Sequence, residues 1–142
     1  LKINLENNLK NESMNLKLDF DYKNNLELKI INYNKPENSV ANISLDLNKN
    51  KNKIKINTFS LKDGSNSIKI FGLEFNKNKF STFKKIEVKT TNNNFFIQNG
   101  DTILVKGNRF DATNLAKFLS NQRDENKFEK LINYLDLKFL NY

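Results

Sequence analysis

The side chains of this chain that could do chemistry are mainly carboxylates, because its 142 residues include neither cysteine nor histidine. That composition removes the thiolate nucleophile, the usual general base and the commonest transition-metal ligand. Two carboxylates, Asp19 and Asp21, alternate along one predicted strand. Lys23 stands where a calcium loop needs a further oxygen ligand, and no glycine follows it. We therefore interpret the pair as a solvated strand face, and expect no enzymatic activity, no bound metal and no cofactor.

The chain is basic, with a formal charge of +8 and a pI of about 9.6, which favours nucleic acid or an anionic membrane surface as a partner. Nearly all of the cations are lysine, and asparagine is frequent, as in a protein encoded by an AT-rich gene. Six phenylalanines interleaved with lysines resemble a base-stacking platform: Phe71, Phe75, Phe80, Phe83, Phe95 and Phe96. Most of them share the alternating apolar phase, so the favoured interpretation is that they lie in the core or line a groove. We do not expect nucleic acid to be a partner, and a basic single-stranded nucleic-acid-binding β-barrel is the second alternative function.

Period-2 alternation of apolar residues dominates the sequence and predicts a mainly β fold, an antiparallel meander of nine to ten short strands. The alternation is cleanest from Met14 to Tyr22. It resumes at Leu26 after a polar turn, so these two segments are predicted to pair as a hairpin. It then breaks near Ile30, which predicts a bulge or a register change. Further turns are predicted at residues 35–38, 48–53, 63–64, 76–79 and 92–94.

The end of the meander carries a distinct group of turn and helix signals. Asn99-Gly100 predicts a hairpin, because both residues tolerate positive φ. After Gly107, Asp111 can accept hydrogen bonds from the free amides of a helix start. We therefore predict a short amphipathic helix from Ala112 to Ser120, followed by a loop, a helical turn and a truncated strand over residues 121–142. Residues 1–142 are interpreted as a single β-rich segment of a larger protein, with the meander at residues 1–106 and the glycine turn and helix at residues 107–120.

A sheet with one apolar face must bury that face against a second layer or against an apolar ligand. If the strands divide into two sheets, the product is a closed β-sandwich, a binding or adhesion module, which is the first alternative function. If they form one twisted sheet, it curves into a groove that a nine-residue helix is too small to cover. Acyl chains suit such a groove, since each buried CH₂ gains about 0.8 kcal/mol.

The residues predicted to line this lipid groove share the apolar phase of the strands. They are Leu16, Leu18, Phe20, Leu28, Ile30, Ile43, Leu45, Ile54, Ile56, Ile68, Ile70, Ile86, Val88, Ile97, Ile103 and Val105.

The run from Asn99 to Ala112, followed by Leu115, resembles the hairpin, turn and short helix of the AsmA-like family of Gram-negative envelope proteins, the group of YhdP and TamB. The motif residues are Asn99, Gly100, Gly107, Asp111 and Leu115. The resemblance implies a long repeating β-groove that crosses the periplasm, with the parent protein anchored in the inner membrane. It further implies phospholipid transfer between inner and outer membrane, or envelope maintenance, with phospholipid acyl chains as the partner. It implies no catalytic residues.

Overall fold

The structure, a computed structural model, describes residues 1–114 of the chain, and these are mainly β. Eleven strands follow one another with a single 3-10 helix, Lys29–Ile31, between the third and the fourth. The strands are β1 (Lys2–Asn8), β2 (Ser13–Tyr22), β3 (Leu26–Leu28), β4 (Tyr33–Lys35), β5 (Ala41–Asn50), β6 (Lys53–Asp63), β7 (Asn66–Asn76), β8 (Lys79–Thr82), β9 (Lys85–Lys89), β10 (Asn94–Asn99) and β11 (Ile103–Arg109).

Nine of the strands form one antiparallel sheet in the order β1-β2-β5-β6-β7-β9-β10-β11, with β8 also paired to β7. The other two, β3 and β4, form a separate two-stranded sheet. The predicted mainly β, antiparallel fold is therefore confirmed. Within residues 1–114 the strands do not divide into two large sheets.

The predicted hairpin between β2 and the segment that begins at Leu26 is wrong. β2 pairs with β1 on one side and with β5 on the other. Residues 26–35 leave the large sheet and form their own hairpin, β3–β4. The phase break near Ile30 is the 3-10 helix and not a bulge, and Asn32, which ends this helix, has a left-handed backbone (φ 48°). We call residues 26–35 the cap.

Several of the predicted turns are found where the sequence places them. The β5–β6 reversal has Lys51 at φ 50°, and the β7–β8 reversal has Lys77 at φ 49° and Asn78 at φ 62°. Gly64, at φ 56°, makes the β6–β7 reversal. Two-residue hairpin turns need positive φ, which matches the right-handed twist of the strands that they join.

The hairpin at Asn99-Gly100 is confirmed, but its turn differs from the predicted one. Asn99 pairs with Ile103, so the loop consists of residues 100–102, and neither Asn99 nor Gly100 has positive φ. The side-chain amide of Asn99 is bound to the neighbouring segment, because its Nδ2 donates to Thr82 Oγ1 (2.9 Å) and to the Phe83 carbonyl (3.1 Å). These bonds hold Asn99 in the strand.

The core of the described residues lies between the cap and the middle of the large sheet. Its buried apolar members are Ile31, Tyr33, Ala41, Leu61, Ile68 and Val88. No helix among the described residues is long and apolar enough to cross a membrane. Of the helix predicted at residues 112–120, Ala112 is irregular and Thr113 and Asn114 form a turn, while the remainder and residues 121–142 lie outside the described residues.

Candidate functional site: an apolar sheet face

The strand registers place the apolar side chains of the large sheet in rows on one face, because directly opposed residues of an antiparallel ladder share a face. The first row contains Phe20, Ile43, Leu61, Ile68, Val88 and Phe95. The second row contains Ile3, Leu18, Leu45, Phe59, Ile70, Ile86, Ile97 and Val105. The third row contains Leu5, Leu16, Leu47, Ile56 and Leu73. We call this surface the apolar face.

Two matched irregularities keep the rows in phase along β6 and β7. On β6, Asn57 is an extra residue relative to β5, and its Nδ2 donates to Asp46 Oδ1 at 3.0 Å. On β7, Gly72 has a left-handed backbone (φ 61°), and a Cβ there would lie 2.9 Å from Lys84 Cγ. An unbroken period of two would put Ile56 and Phe59 on opposite faces. The two irregularities restore one continuous apolar face.

The cap covers only one end of the apolar face. Leu26, Leu28, Ile31 and Tyr33 belong to the hydrophobic cluster that contains Leu61, Ile68 and Val88. These three first-row residues are 2%, 6% and 4% exposed. The face is therefore sealed from solvent at these three residues, whereas Phe20, Ile43 and Phe95 of the same row are half-buried.

Lys35 fastens the base of the cap. It is 0% exposed, and the three N–H donors of its ammonium are shared among four main-chain carbonyls, those of Lys23 (3.1 Å), Asn24 (2.9 Å), Pro36 (2.9 Å) and Ser39 (2.7 Å). A buried ammonium is tolerated only where its charge is compensated by such hydrogen bonds. One side chain thus ties the segment entering the cap to the segment leaving it.

Asn93 fastens the far end of the cap. It is 0% exposed, and its Nδ2 donates to the Ile31 carbonyl at 2.7 Å while its Oδ1 accepts from the Asp111 amide at 2.9 Å. The Asp111 carboxylate accepts from the Thr113 amide (3.0 Å) and from Asn32 Nδ2 (2.8 Å), which holds the pKa of Asp111 below its usual value. The chain that follows β11 is therefore bound to the cap.

A buried hydroxyl–carboxylate pair joins the cap to β6. Tyr33 is 4% exposed, and its hydroxyl donates to Asp63 Oδ2 at 3.1 Å. Burial raises the pKa of Tyr33 well above its usual value, and the hydrogen bond to Asp63 and its negative charge raise that pKa further.

Away from the cap the apolar face remains partly exposed. The third-row residues Leu16, Leu47, Ile56 and Leu73 are half-buried. On the edge strand β1, Ile3 is 60% and Leu5 56% exposed. We call the second and third rows the open end of the apolar face.

The predicted groove residues that belong to the large sheet all lie on the apolar face. They are Leu16, Leu18, Phe20, Ile43, Leu45, Ile54, Ile56, Ile68, Ile70, Ile86, Val88, Ile97, Ile103 and Val105. Phe20, Ile43, Ile68 and Val88 belong to the capped row. Leu28 lies in the cap and contacts the core, and Ile30 lies in the 3-10 helix of the cap.

Other residues of the apolar face were missed by the sequence analysis. They are Ile3, Leu5, Leu47, Phe59, Leu61 and Leu73. Phe75 and Phe95, which belong to the phenylalanine set interpreted mainly as core or groove residues, also lie on this face. The signal that could have found the missed residues on β6 and β7 is the spacing of three residues between Ile56 and Phe59 and again between Ile70 and Leu73. The same phase shift on two paired strands indicates a matched irregularity.

The motif residues from the family resemblance have structural positions. Asn99 holds the β10–β11 hairpin, and Gly100 opens its loop. Gly107 lies against β10, where a Cβ would lie 2.5 Å from the Cα of Phe95. Asp111 joins the end of the sheet to the cap, and Leu115 lies outside the described residues.

The opposite face of the sheet is polar. Asn42 Nδ2 donates to Asp19 (3.1 Å) and Asp21 (3.4 Å) there, and the described residues contain no cluster that could hold a metal ion. Lys53 and Lys55 flank Glu74 at 3.0 and 3.3 Å, and their hydrogen bonds hold the pKa of Glu74 below its usual value. This arrangement is that of a solvated, ion-paired surface.

The aromatic residues do not form one platform. Phe75 and Phe95 lie on the apolar face, and Phe80 pairs with Phe75 edge to face, with ring centroids 6.3 Å apart. Phe71 and Phe96 lie on the polar face, where Lys85 Nζ is 4.7 Å from the centre of the Phe96 ring. The lysine-interleaved set is therefore divided between the two faces.

No family model matches the chain, and no curated protein or solved structure matches it. The functional argument therefore rests on the geometry of the apolar face and its surroundings.

Proposed function

We propose that this chain is a non-enzymatic segment of an AsmA-like envelope protein, and that the open end of its apolar face holds phospholipid acyl chains during transfer between the inner and outer membrane. In this proposal the segment lies in the periplasm and its parent is anchored in the inner membrane. The observation that carries it is the contrast within one face. Leu61, Ile68 and Val88 are buried beneath the cap, while the third row is only half-buried and Ile3 and Leu5 on β1 are exposed.

The chemistry of the open end matches that of an acyl chain. Its side chains are aliphatic or aromatic and offer no hydrogen bonds, and a fatty acyl chain needs none. Each methylene transferred from water gains about 0.8 kcal/mol, so an acyl chain lying across a few strands gains several such increments. An exposed apolar surface of this kind marks an interaction site rather than a solvated one.

The charges around the open end favour an anionic headgroup. Three turns meet at the end of the sheet remote from the cap, because the Lys51 amide donates to the Glu12 carbonyl (3.0 Å) and the Lys77 amide donates to the Asn52 carbonyl (2.8 Å). The exposed lysines in these turns and at the strand ends beside them, leaving out Lys53 because it pairs with Glu74, are Lys10, Lys49, Lys51, Lys77 and Lys79. We call them the lysine rim. It lies beside the apolar rows, since Lys49 is opposite both Met14 and Ile54.

The test is the lipid content of the purified chain after expression in a Gram-negative host. Mass spectrometry of solvent extracts should find phospholipid bound to the protein, enriched in anionic headgroups relative to the host membrane. Ile56→Asp should lower the bound lipid at least about tenfold, because it places a carboxylate in the third row. The matched control is Ser60→Asp, which adds the same charge to the polar face of the same strand, opposite Ser44 and Lys69.

Both variants must first be shown to be folded by circular dichroism and thermal unfolding. Folded wild-type protein that carries no lipid, or equal lipid loss in Ile56→Asp and Ser60→Asp, would rule the proposal out.

A further inference from the structure

Within residues 1–114, β1 is an edge strand of the large sheet. β1 pairs with β2, and among residues 1–114 it pairs with no other strand. All seven of its residues are exposed. An unpaired edge presents a row of main-chain donors and acceptors that can pair with another strand.

The sequence of β1 is complementary to itself in the antiparallel sense. When two copies are aligned on Asn4, Lys2 of each is opposite Glu6 of the other, and Ile3 is opposite Leu5. Directly opposed residues share a face, so the apolar pairs fall on the side of the apolar face and the ion pairs on the polar side. Glu6 forms no ion pair within the described chain: the residue directly opposite it on β2 is the neutral Asn15, whose Nδ2 donates to Glu6 Oε2 at 3.4 Å.

No other antiparallel register of β1 with itself places both the ion pairs and the apolar pairs opposite each other. A shift by one residue places apolar side chains opposite polar ones and puts them on different faces. A shift by two places Lys2 opposite Asn4 or Asn8, and both ion pairs are lost. The alignment on Asn4 is therefore the one that satisfies charge and face together.

We propose that two copies of this chain associate through their β1 edges, antiparallel and two-fold symmetric about Asn4. The two large sheets then become one continuous sheet with both apolar faces on the same side. A two-fold axis perpendicular to the sheet produces this arrangement, since an isologous contact uses the same surface on both subunits. The proposal does not depend on what the apolar face binds.

The other edge of the large sheet does not offer the same contact. β11 pairs only with β10 among the described residues, and its charged residues, Lys106 and Arg109, are both cationic. Pairing β11 with itself gains no ion pair in any register. Its ladder with β10 also contains a register shift next to Phe95, which interrupts a regular edge.

A cysteine cross-link tests the register. The chain has no cysteine, so Asn4→Cys introduces a single thiol. In the proposed dimer the two Cα atoms at this position are opposed, at about 4.5–5.5 Å, within the range that a disulfide spans. Asn4→Cys should give a cross-linked dimer under mild oxidation. Asn8→Cys, on the same strand, is the matched control: in this register its two copies lie eight residues apart along the paired strands, about 26 Å, so it should stay uncross-linked.

A charge exchange tests the ion pairs. In Lys2→Glu alone and in Glu6→Lys alone, both opposed pairs carry like charges, so each variant should dimerise about tenfold more weakly than the wild type by sedimentation equilibrium. An equimolar mixture of the two variants should regain dimers, because each pair is then one of opposite charge. The double variant Lys2→Glu/Glu6→Lys should also regain them.

Three results would overturn the proposal. One is a wild-type chain that sediments as a monomer throughout the accessible concentration range. Another is equal cross-linking of Asn4→Cys and Asn8→Cys. The third is open-ended assembly without an Asn4→Cys dimer, which is the behaviour expected if β1 of one copy pairs with β11 of the next.

Discussion

The capped and open ends of the apolar face are built from the same residue types on the same strands, and they differ in what lies over them. On β6, Leu61 is 2% exposed beneath the cap, whereas Ile56 is half-buried beyond it. On β7, Ile68 and Leu73 differ in the same way. Alternation alone therefore does not determine burial here. The cap, inserted between β2 and β5, divides one apolar face into a core and an accessible surface.

The two ends also differ in how polar groups are used. The capped end contains buried polar side chains that are satisfied by hydrogen bonds: Lys35 to four carbonyls, Asn93 to the Ile31 carbonyl, and Tyr33 to Asp63. Such groups are costly when unpaired, so they fix one arrangement of the cap. The open end has only aliphatic and aromatic side chains on the same face, which suits an exchangeable apolar ligand. Stability and proposed binding are thus assigned to different ends.

The largest difference between the two ends is expected for a substitution at the centre of the first row. Leu61→Ala should lower the free energy of unfolding by about 3 kcal/mol, because it leaves a cavity between the cap and the sheet. Ile56→Ala, on the same strand at the open end, should cost about 1 kcal/mol, since a half-buried side chain loses less apolar contact. Urea unfolding followed by circular dichroism measures both. Equal losses would show that the two ends are equally sealed.

The next effect concerns the attachment of the cap. Lys35→Met keeps the length and apolar stem of the side chain but removes its ammonium, leaving four carbonyls without their donor. The free energy of unfolding should fall by about 2–3 kcal/mol, the cost of leaving buried acceptors unsatisfied. Lys29→Met, at an exposed lysine of the cap, should change it by less than about 0.5 kcal/mol. A stable Lys35→Met variant would mean that water satisfies the same carbonyls.

Local alternation was enough to predict most strands and the side that they bury. Met14 to Tyr22 reads as β2 because a period of two is a property of consecutive residues. Sheet membership is not local: Leu26 and Leu28 alternate in the same way, yet they pack onto the large sheet as part of the cap instead of joining it. Non-local packing decides that choice, and the sequence carries no separate signal for it.

The polar residues that hold the cap were not predictable from residue type. Lys35 and Asn93 are indistinguishable in sequence from the many exposed lysines and asparagines of this chain. Their burial follows from the way in which the turns around the cap converge. An isolated glycine such as Gly72 within a strand pattern indicates a bulge or a close approach. Gly72 has a left-handed backbone, and a Cβ there would lie 2.9 Å from Lys84 Cγ. An isolated glycine within a strand pattern is thus a local signal, whereas a buried lysine is not.

The smallest effect tests the contact between Tyr33 and Asp63. The raised pKa of Tyr33 means that the folded protein holds the Tyr33 proton more tightly than the unfolded chain does. The stabilisation from the protonated Tyr33 hydroxyl is therefore complete below about pH 10 and is lost as the pH rises further. Tyr33→Phe should cost about 1 kcal/mol at neutral pH and should flatten the alkaline loss of stability measured by urea unfolding at several pH values. Tyr22→Phe removes a hydroxyl that donates to the Asn25 carbonyl in an exposed turn, and it keeps Tyr33 and hence the alkaline loss. Suppose instead that the free energy of unfolding fell with alkaline pH as steeply in both variants as in the wild type. The alkaline loss of stability would then come from groups outside the capped end, and the Tyr33–Asp63 contact would not distinguish the capped end from the open end.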